Sequence, residues 1–279
     1  TEIYTLSLHD ALPILNKIRR CKYKFSFGEL KGKTCDMEAS ENGFCMWHNP
    51  STPPETVSNE LLEKWVSDKK TLEGFNLQGI CLNKIRLRCA LLVKVNLKNA
   101  RLIDADLEEC NLMQANLSNA ILKGINMDGC NLRGATLQNA ICEEGSFKNA
   151  NLAGANMKKV VLEEANLESA NLERCNLSKA NMVNADLENA ILNHSNLAYA
   201  DMSGVCLENA SLVHTNLEQA DLENANLEGA DAENANLAHA NLHRASLEGA
   251  NLEGTRLDGA NLEGANLEDT VLEDDELYL

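Results

Sequence analysis

From Leu72 to Leu277 every fifth residue is apolar without a break in register, 42 positions of which 35 are Leu. The exceptions are Met127, Cys142, Phe147, Met157, Met182, Met202 and Ala232. Two residues before most of them stands a small residue, most often Ala (Ala115, Ala120, Ala220, Ala225), and between the two lies usually Asn, Asp or Ser. The unit Ala-Asn-Leu-x-x fills about three-quarters of the chain. A helix cannot use this pattern. At about 100° per residue, five residues advance roughly 140°, so the leucines would spiral over every side.

An extended triplet can use it. Ala and Leu, two apart, point to one side and the intervening Asn points away. The last two positions then turn a corner, and they are rich in Gly124, Gly134, Gly154, Gly249 and Gly254, and in Asn119, Asn139, Asn184 and Asn224. Such residues tolerate positive φ or bond their own backbone at tight turns. The period therefore predicts an all-β solenoid with Ala and Leu facing its axis. A repeat also explains the aromatic content of only 4%, too low for an ordinary core of this length.

The number of sides does not follow from the period. The A-(N/D)-L-x-x signature over residues 72–277 resembles the pentapeptide-repeat family. That resemblance implies a right-handed quadrilateral β-helix with four repeats per coil, in which residues twenty apart stack. About ten coils at the ~4.8 Å strand spacing would make a rod of roughly 50 Å. In this register Cys110, Cys130 and Cys175 take the small inward position and Cys142 a Leu position, as buried small hydrophobes. Cys110 and Cys130 would stack, as packed thiols or as a bridge. Cys81, Cys89 and Cys206 face outward.

Ahead of the repeat the chain divides into 1–14, 15–50 and 51–71, with the solenoid over 72–279. Residues 1–14 (TEIYTLSLHDALPI) resemble a translated sequencing adapter and lack the basic start and apolar stretch of a signal peptide. In 15–50, Cys21, Cys35, Cys45 and His48 supply three thiolates and an imidazole, the ligand set of a structural zinc site. Cys45-Met-Trp-His48 lets both ends of a tight turn grip one ion. Thirteen residues separate Cys21 from Cys35, so the usual first C-x-x-C knuckle is missing, and four unrelated residues in a small loop are the rival reading. The stretch resembles the short Cys/His, zinc-ribbon-like modules found ahead of some bacterial repeat domains. After Pro50, Pro53 and Pro54, the spacing of Val57, Leu61, Leu62, Trp65 and Val66 predicts a helix. Leu61, Leu62, Trp65 and Val66 are expected to cover the open edge of the first coil. A partner-binding helix is the alternative.

The formal net charge is −17. Residues 180–279 carry twenty acids and two bases, whereas the segments 1–70 and 71–179 are each close to neutral. In the four-repeat register Glu168, Glu188, Glu208, Glu228, Glu248 and Glu268 form one outward column. Net −18 over about five coils is roughly one charge per 1.3 Å, comparable to duplex DNA at ~1.7 Å. Certain pentapeptide-repeat proteins mimic DNA on gyrase and related topoisomerases, so the resemblance implies that function as an alternative. The plainer reading is a soluble, non-enzymatic scaffold that binds another protein through its outer faces. The charge disfavours direct nucleic-acid binding, although Lys84, Arg86, Arg88, Lys94, Lys98 and Arg101 form a basic collar on the first coils.

Nothing in the sequence reads as an active site. His194, His214, His239 and His243 fall at outward positions and read as solvated surface. No run of about 18 apolar residues provides a membrane span. The free-thiol pattern points to a cytoplasmic protein. An end-to-end homodimer through an uncapped C-terminal coil is open to it.

Overall fold

The structure, a computed structural model, describes residues 20–26, 30–51 and 57–271; residues 1–14 and 272–279 lie outside them. From Asn76 onward, each outward residue of the triplet pairs in parallel with the residue twenty positions later. Asn76 bridges Asn96, Asn96 bridges Asn116, and the series continues to Asn251 with Val271. Twenty residues therefore complete one coil, and four pentapeptides make it up. The described chain is a β-helical repeat with one α-helix, α1 (Asn59–Ser67), ahead of it.

One pentapeptide accounts for all five of its backbone donors. Asn96 N–H donates to Phe75 O of the preceding coil at 2.8 Å, and Leu97 and Asn99 N–H donate to Asn116 O and Ser118 O of the next at 2.7 and 2.9 Å. Ala100 N–H closes the corner onto Leu97 O at 3.0 Å. The fifth donor, Lys98 N–H, has no carbonyl to reach and is taken by the side-chain Oδ1 of Asn96 at 3.2 Å. The Asn of the signature is thus a structural acceptor, because an unpaired amide at a half-buried corner is costly. Where the outward residue is Arg101, Ser146 or Ser211, the preceding coil supplies a substitute. Asn83, Asp128 and Asn193 accept from Ile103, Lys148 and Val213 N–H at 3.0, 3.0 and 2.9 Å.

Every corner has a residue at positive φ, filled by Gly124 or Asn119 as expected, but also by Lys179, His194 and Tyr199. These side chains tolerate the left-handed backbone because their N–H groups are locked to the next coil, as Tyr199 N–H is to Glu218 O at 2.9 Å. Inward, the Leu and Ala columns are closed: Leu117, Leu177, Leu227 and Ala120 are fully buried. All ten cysteines are free. Cys110, Cys130 and Cys175 are buried and donate S–H to the carbonyls of Leu87, Leu107 and Leu152 at 2.8, 2.9 and 3.0 Å. Thr215 and Thr255 make the same bond to Leu192 and Ala232 at 2.8 Å, so this inward position carries a ready acceptor for a small donor. Burial pushes the Cys175 thiol up to about 12, consistent with packing rather than reactivity.

Helix α1 starts at an N-cap, Ser58, which accepts from Leu61 N–H, and ends near Lys69 at positive φ. It lies against the first coil. There is no earlier coil to accept Arg86 N–H, and Glu63 of α1 takes it at 2.9 Å; Asn59 Nδ2 donates to Asn83 O at 3.0 Å. Leu62 is fully buried, and Trp65 and Val66 are half-buried. Leu61 is a correction to the expected cover. It is 39% exposed, because the buried stripe of so short a helix is centred on Leu62. No helix among the described residues is long and apolar enough to cross a membrane.

Candidate metal centre and outer faces

The backbone brings Cys21 and Cys35 together across an antiparallel pair. Arg20 bridges Glu38 and Lys24 bridges Thr34. Within it Cys21 N–H donates to Met37 O and Cys35 N–H to Tyr23 O, both at 2.9 Å. The missing knuckle is thereby replaced by two strands of one hairpin, a pairing that local spacing does not reveal. The other two groups come from a tight turn in which His48 N–H donates to Cys45 O at 3.2 Å. The ligating atoms of Cys21, Cys35, Cys45 and His48 all lie within 4.8 Å of one another, and all four residues are buried. His48 Nδ1 sits 3.1 Å from Cys45 Sγ and 3.7 Å from Cys21 Sγ. A tetrahedral ion with ordinary Zn–S and Zn–N lengths would place such a pair about 3.5 Å apart.

The imidazole is oriented for this. Its Nε2 lies 2.9 Å from the Glu73 carbonyl and must donate to it, which leaves the Nδ1 lone pair facing the sulfurs. Burial lowers the His48 pKa and keeps the ring neutral; burial also pushes the Cys35 thiol up to about 12 and raises Cys45. A buried Cys3His group in this arrangement could hold a metal ion.

The same ring locks the group to the rod. His48 stacks on Tyr23 with centroids 4.0 Å apart and meets Phe75 edge-on at 5.3 Å. Trp47 stacks on Phe75 at 4.8 Å and leans on Trp65 at 5.3 Å. Asn76 N–H, a first-coil donor with no coil before it, goes to Trp47 O at 2.6 Å. Sequence reading missed Trp47, Phe75 and Glu73. Glu73 has the register of an outward residue, yet it is fully buried. Its Oε1 accepts from Ser26 N–H and Oγ–H at 2.6 and 2.7 Å, while Oε2 has no hydrogen-bond partner among the described residues. Only the folded module covers that position, so no linear signal marks it.

The bridge register places Glu168, Glu188, Glu208, Glu228, Glu248 and Glu268 in one column, each coil's residue at the same position. Lys148 opens the column and contacts Glu168 at 2.5 Å. Glu168, Glu188 and Glu208 are half-buried, and Glu228, Glu248 and Glu268 are exposed. Serine and asparagine of the next coil lean on the exposed part: Ser246 Oγ donates to Glu228 at 3.1 Å and Asn266 Nδ2 to Glu248 at 3.2 Å. His194 and His214 stack at 5.1 Å on the outer surface, and His243 lies 3.5 Å from Glu223.

Bridged twenty-residue coils around filled apolar columns define a solenoid repeat protein. Family models confirm the kind of repeat: one described as pentapeptide repeats (8 copies) matches residues 170–209, 200–237 and 235–274, and one described as a pentapeptide repeat region matches 95–172. The chain belongs to the pentapeptide-repeat family. Among solved structures it is similar to HetL, a pentapeptide-repeat protein involved in heterocyst differentiation regulation from the cyanobacterium Nostoc sp. strain PCC 7120. The two are 31% identical over 79% of this chain and 98% of that one, with a TM-score of 0.57. It also matches Rfr23 from the cyanobacterium Cyanothece 51142 (35% identity, 44% of this chain, 91% of that one, TM-score 0.30). A third match is full-length QnrB1, a plasmid-mediated fluoroquinolone resistance protein (19% identity, 72% of this chain, 93% of that one, TM-score 0.39). No curated protein sequence matches the chain.

Proposed function

We propose that this protein is a non-enzymatic scaffold, a right-handed four-sided β-helix that binds another protein through its outer faces. The observation that carries the reading is the closure of the inward columns. With Leu and Ala buried coil after coil, the rod leaves its chemistry to the outward and corner positions. The likeness to HetL, described as taking part in regulation, is in keeping with a binding role. In this reading Cys21, Cys35, Cys45 and His48 hold one structural zinc ion, which closes its shell with four protein ligands and supplies no reactive position. The ion fixes the N-terminal module. With Leu62, Trp65 and Val66, the module covers the first coil, whose edge would otherwise recruit other strands.

A second reading rests on the Glu column. An acidic face with a charge density near that of DNA suits a basic DNA-binding saddle, and gyrase or a related topoisomerase is the candidate. Affinity capture on the intact chain and on a chain lacking residues 180–279 tests both, with reciprocal capture by the identified partner. A partner lost with the acidic end, together with inhibition of gyrase supercoiling, supports mimicry. A reciprocal protein partner without gyrase inhibition supports the scaffold, and no reciprocal partner at all contradicts both.

A further inference from the structure

The rod is electrically divided around its circumference as well as along its length. Each coil consists of four pentapeptides, and residues twenty apart stack, so charges sum by side over residues 72–271. The side containing the Glu column and its equivalents carries three bases and twelve acids, net −9. The side half a coil away, which contains 95–99, 155–159, 175–179 and 195–199, carries five bases and two acids, net +3. The two remaining sides are −5 and −2.

The positive side also has its charges free. On the acidic side Lys148 is engaged by Glu168, and Arg88 by Asp106 and Glu108. On the positive side Arg256 contacts Asp258, whereas Lys98, Lys158, Lys159 and Lys179 have no carboxylate partner among the described residues. Between the corners runs a ladder of neutral amides, with Asn236 Nδ2 donating to Asn216 at 3.0 Å and Asn216 to Asn196 at 3.3 Å. At its edge stands Tyr199, 51% exposed, the one aromatic ring among the exposed large apolar residues described. Its backbone is left-handed (φ 62), where the equivalent Asn99, Asn119 and Asn139 suit the corner without strain. Lys179 Nζ lies 5.5 Å over its ring, and Gln219 Nε2 donates to its hydroxyl at 3.3 Å. A held, half-exposed Tyr is the kind of ring that anchors a protein interface, and the unpaired lysines around it supply a charged rim that steers and selects the partner.

Resting on the scaffold reading, we propose that this Lys158–Lys159–Lys179–Tyr199 side is the docking face, and that its partner is an acidic protein segment. Charge complementarity selects the occupant. Four free lysines neutralise few phosphates, and the other sides are negative, so a long nucleic acid would gain little and meet repulsion beyond the strip. A short acidic segment touches this side alone. The opposite acidic column is attenuated by screening over about 8 Å at physiological salt.

Fluorescence anisotropy on the full chain tests this, with a fluorescein-labelled peptide of Glu residues with interspersed Tyr as the probe. Lys158→Glu/Lys159→Glu/Lys179→Glu should weaken binding at least about tenfold, and Tyr199→Ala about threefold or more. Ser169→Lys/Asn189→Lys, at corners half a coil away where the rod already carries lysines at the equivalent backbone conformation, should leave binding within about twofold or strengthen it slightly. All changes are at corners, and an unchanged circular dichroism spectrum and melting midpoint confirm that each rod is folded; Lys→Gln at the same three positions gives the readout without added charge. Binding unchanged in the triple variant overturns the proposal. So does a dT oligonucleotide bound where the peptide is not, which makes the partner a nucleic acid, and so does a dimer dissolved by the triple variant without peptide binding, which makes it a second copy. A reciprocal protein partner that still binds the triple variant sinks this face and leaves the scaffold standing; absence of any partner sinks both.

Discussion

Replacing Asn216 by Ala asks how much the Asn of the repeat contributes. Three hydrogen bonds meet at this side chain. Its Oδ1 accepts from Glu218 N–H at 3.2 Å and from Asn236 Nδ2 at 3.0 Å, and its Nδ2 donates to Asn196 at 3.3 Å. Neutral hydrogen bonds are worth about 0.5–1.5 kcal/mol net, and the half-exposed ladder bonds belong at the low end. The orphaned Glu218 amide adds most of the cost, so the expected loss is about 2 kcal/mol. Asn216→Asp keeps the acceptor for Glu218 and should lose about 1 kcal/mol or less. Denaturant unfolding of the full chain reports the total. Because solenoids can unfold in parts, amide exchange at Glu218 gives the local answer, and it should quicken in the Ala variant and hardly change in the Asp variant. An Ala variant within about 0.3 kcal/mol of wild type, with Glu218 exchange unchanged, would refute the structural role assigned to the signature Asn.

Leu177→Asp should be severely destabilising, by about 4 kcal/mol or more, since Leu177 is fully buried and the carboxylate would have no partner; an unchanged melting curve would show the register to be wrong. Elemental analysis of residues 15–279, purified without chelators, should find one zinc per chain, and less than about half an equivalent would sink the metal assignment. Cys45→Ser should lose the ion and loosen the N-terminal module while the rod keeps its β spectrum, because coils depend mainly on their neighbours. Glu208→Lys/Glu228→Lys/Glu248→Lys should leave stability within about 0.5 kcal/mol of wild type, as it makes the two end pairs of a self-repelling row attractive, keeps two repelling pairs as lysines and loses the exposed Ser246 and Asn266 bonds; marked destabilisation would mean the column is structural.

The Leu register was legible because a five-residue apolar period suits an extended side and a corner but no helix stripe, and the buried columns follow it to Leu257; the four sides per coil came from the family resemblance. The cysteine roles followed from the same register, which puts Cys110 and Cys130 inward. The acceptor role of Asn96 was not legible, since it depends on which of five amides the coil leaves unpaired. The residues of the Cys3His cluster could be named from their type, but their convergence required the hairpin that spans Cys21 and Cys35. Glu73 carried no signal, because the residues that bury it come from the N-terminal module. Counting charges along the chain located the acidic end and missed the positive side. Lys98, Lys158 and Lys179 are scattered in sequence and meet only when residues twenty apart are stacked.

The most direct test of the scaffold account is site-specific photo-crosslinking in the native host, with the reactive residue placed in turn at the solvent-facing corner positions Ser203, Glu218, Glu228 and Glu233, one on each side of the coil, which leaves the Asn and Asp acceptors in place. The account predicts a discrete protein adduct of constant mass, strong at one or two of these positions and absent from the others, in a rod whose spectrum is unchanged. No protein adduct at any of the four would contradict it.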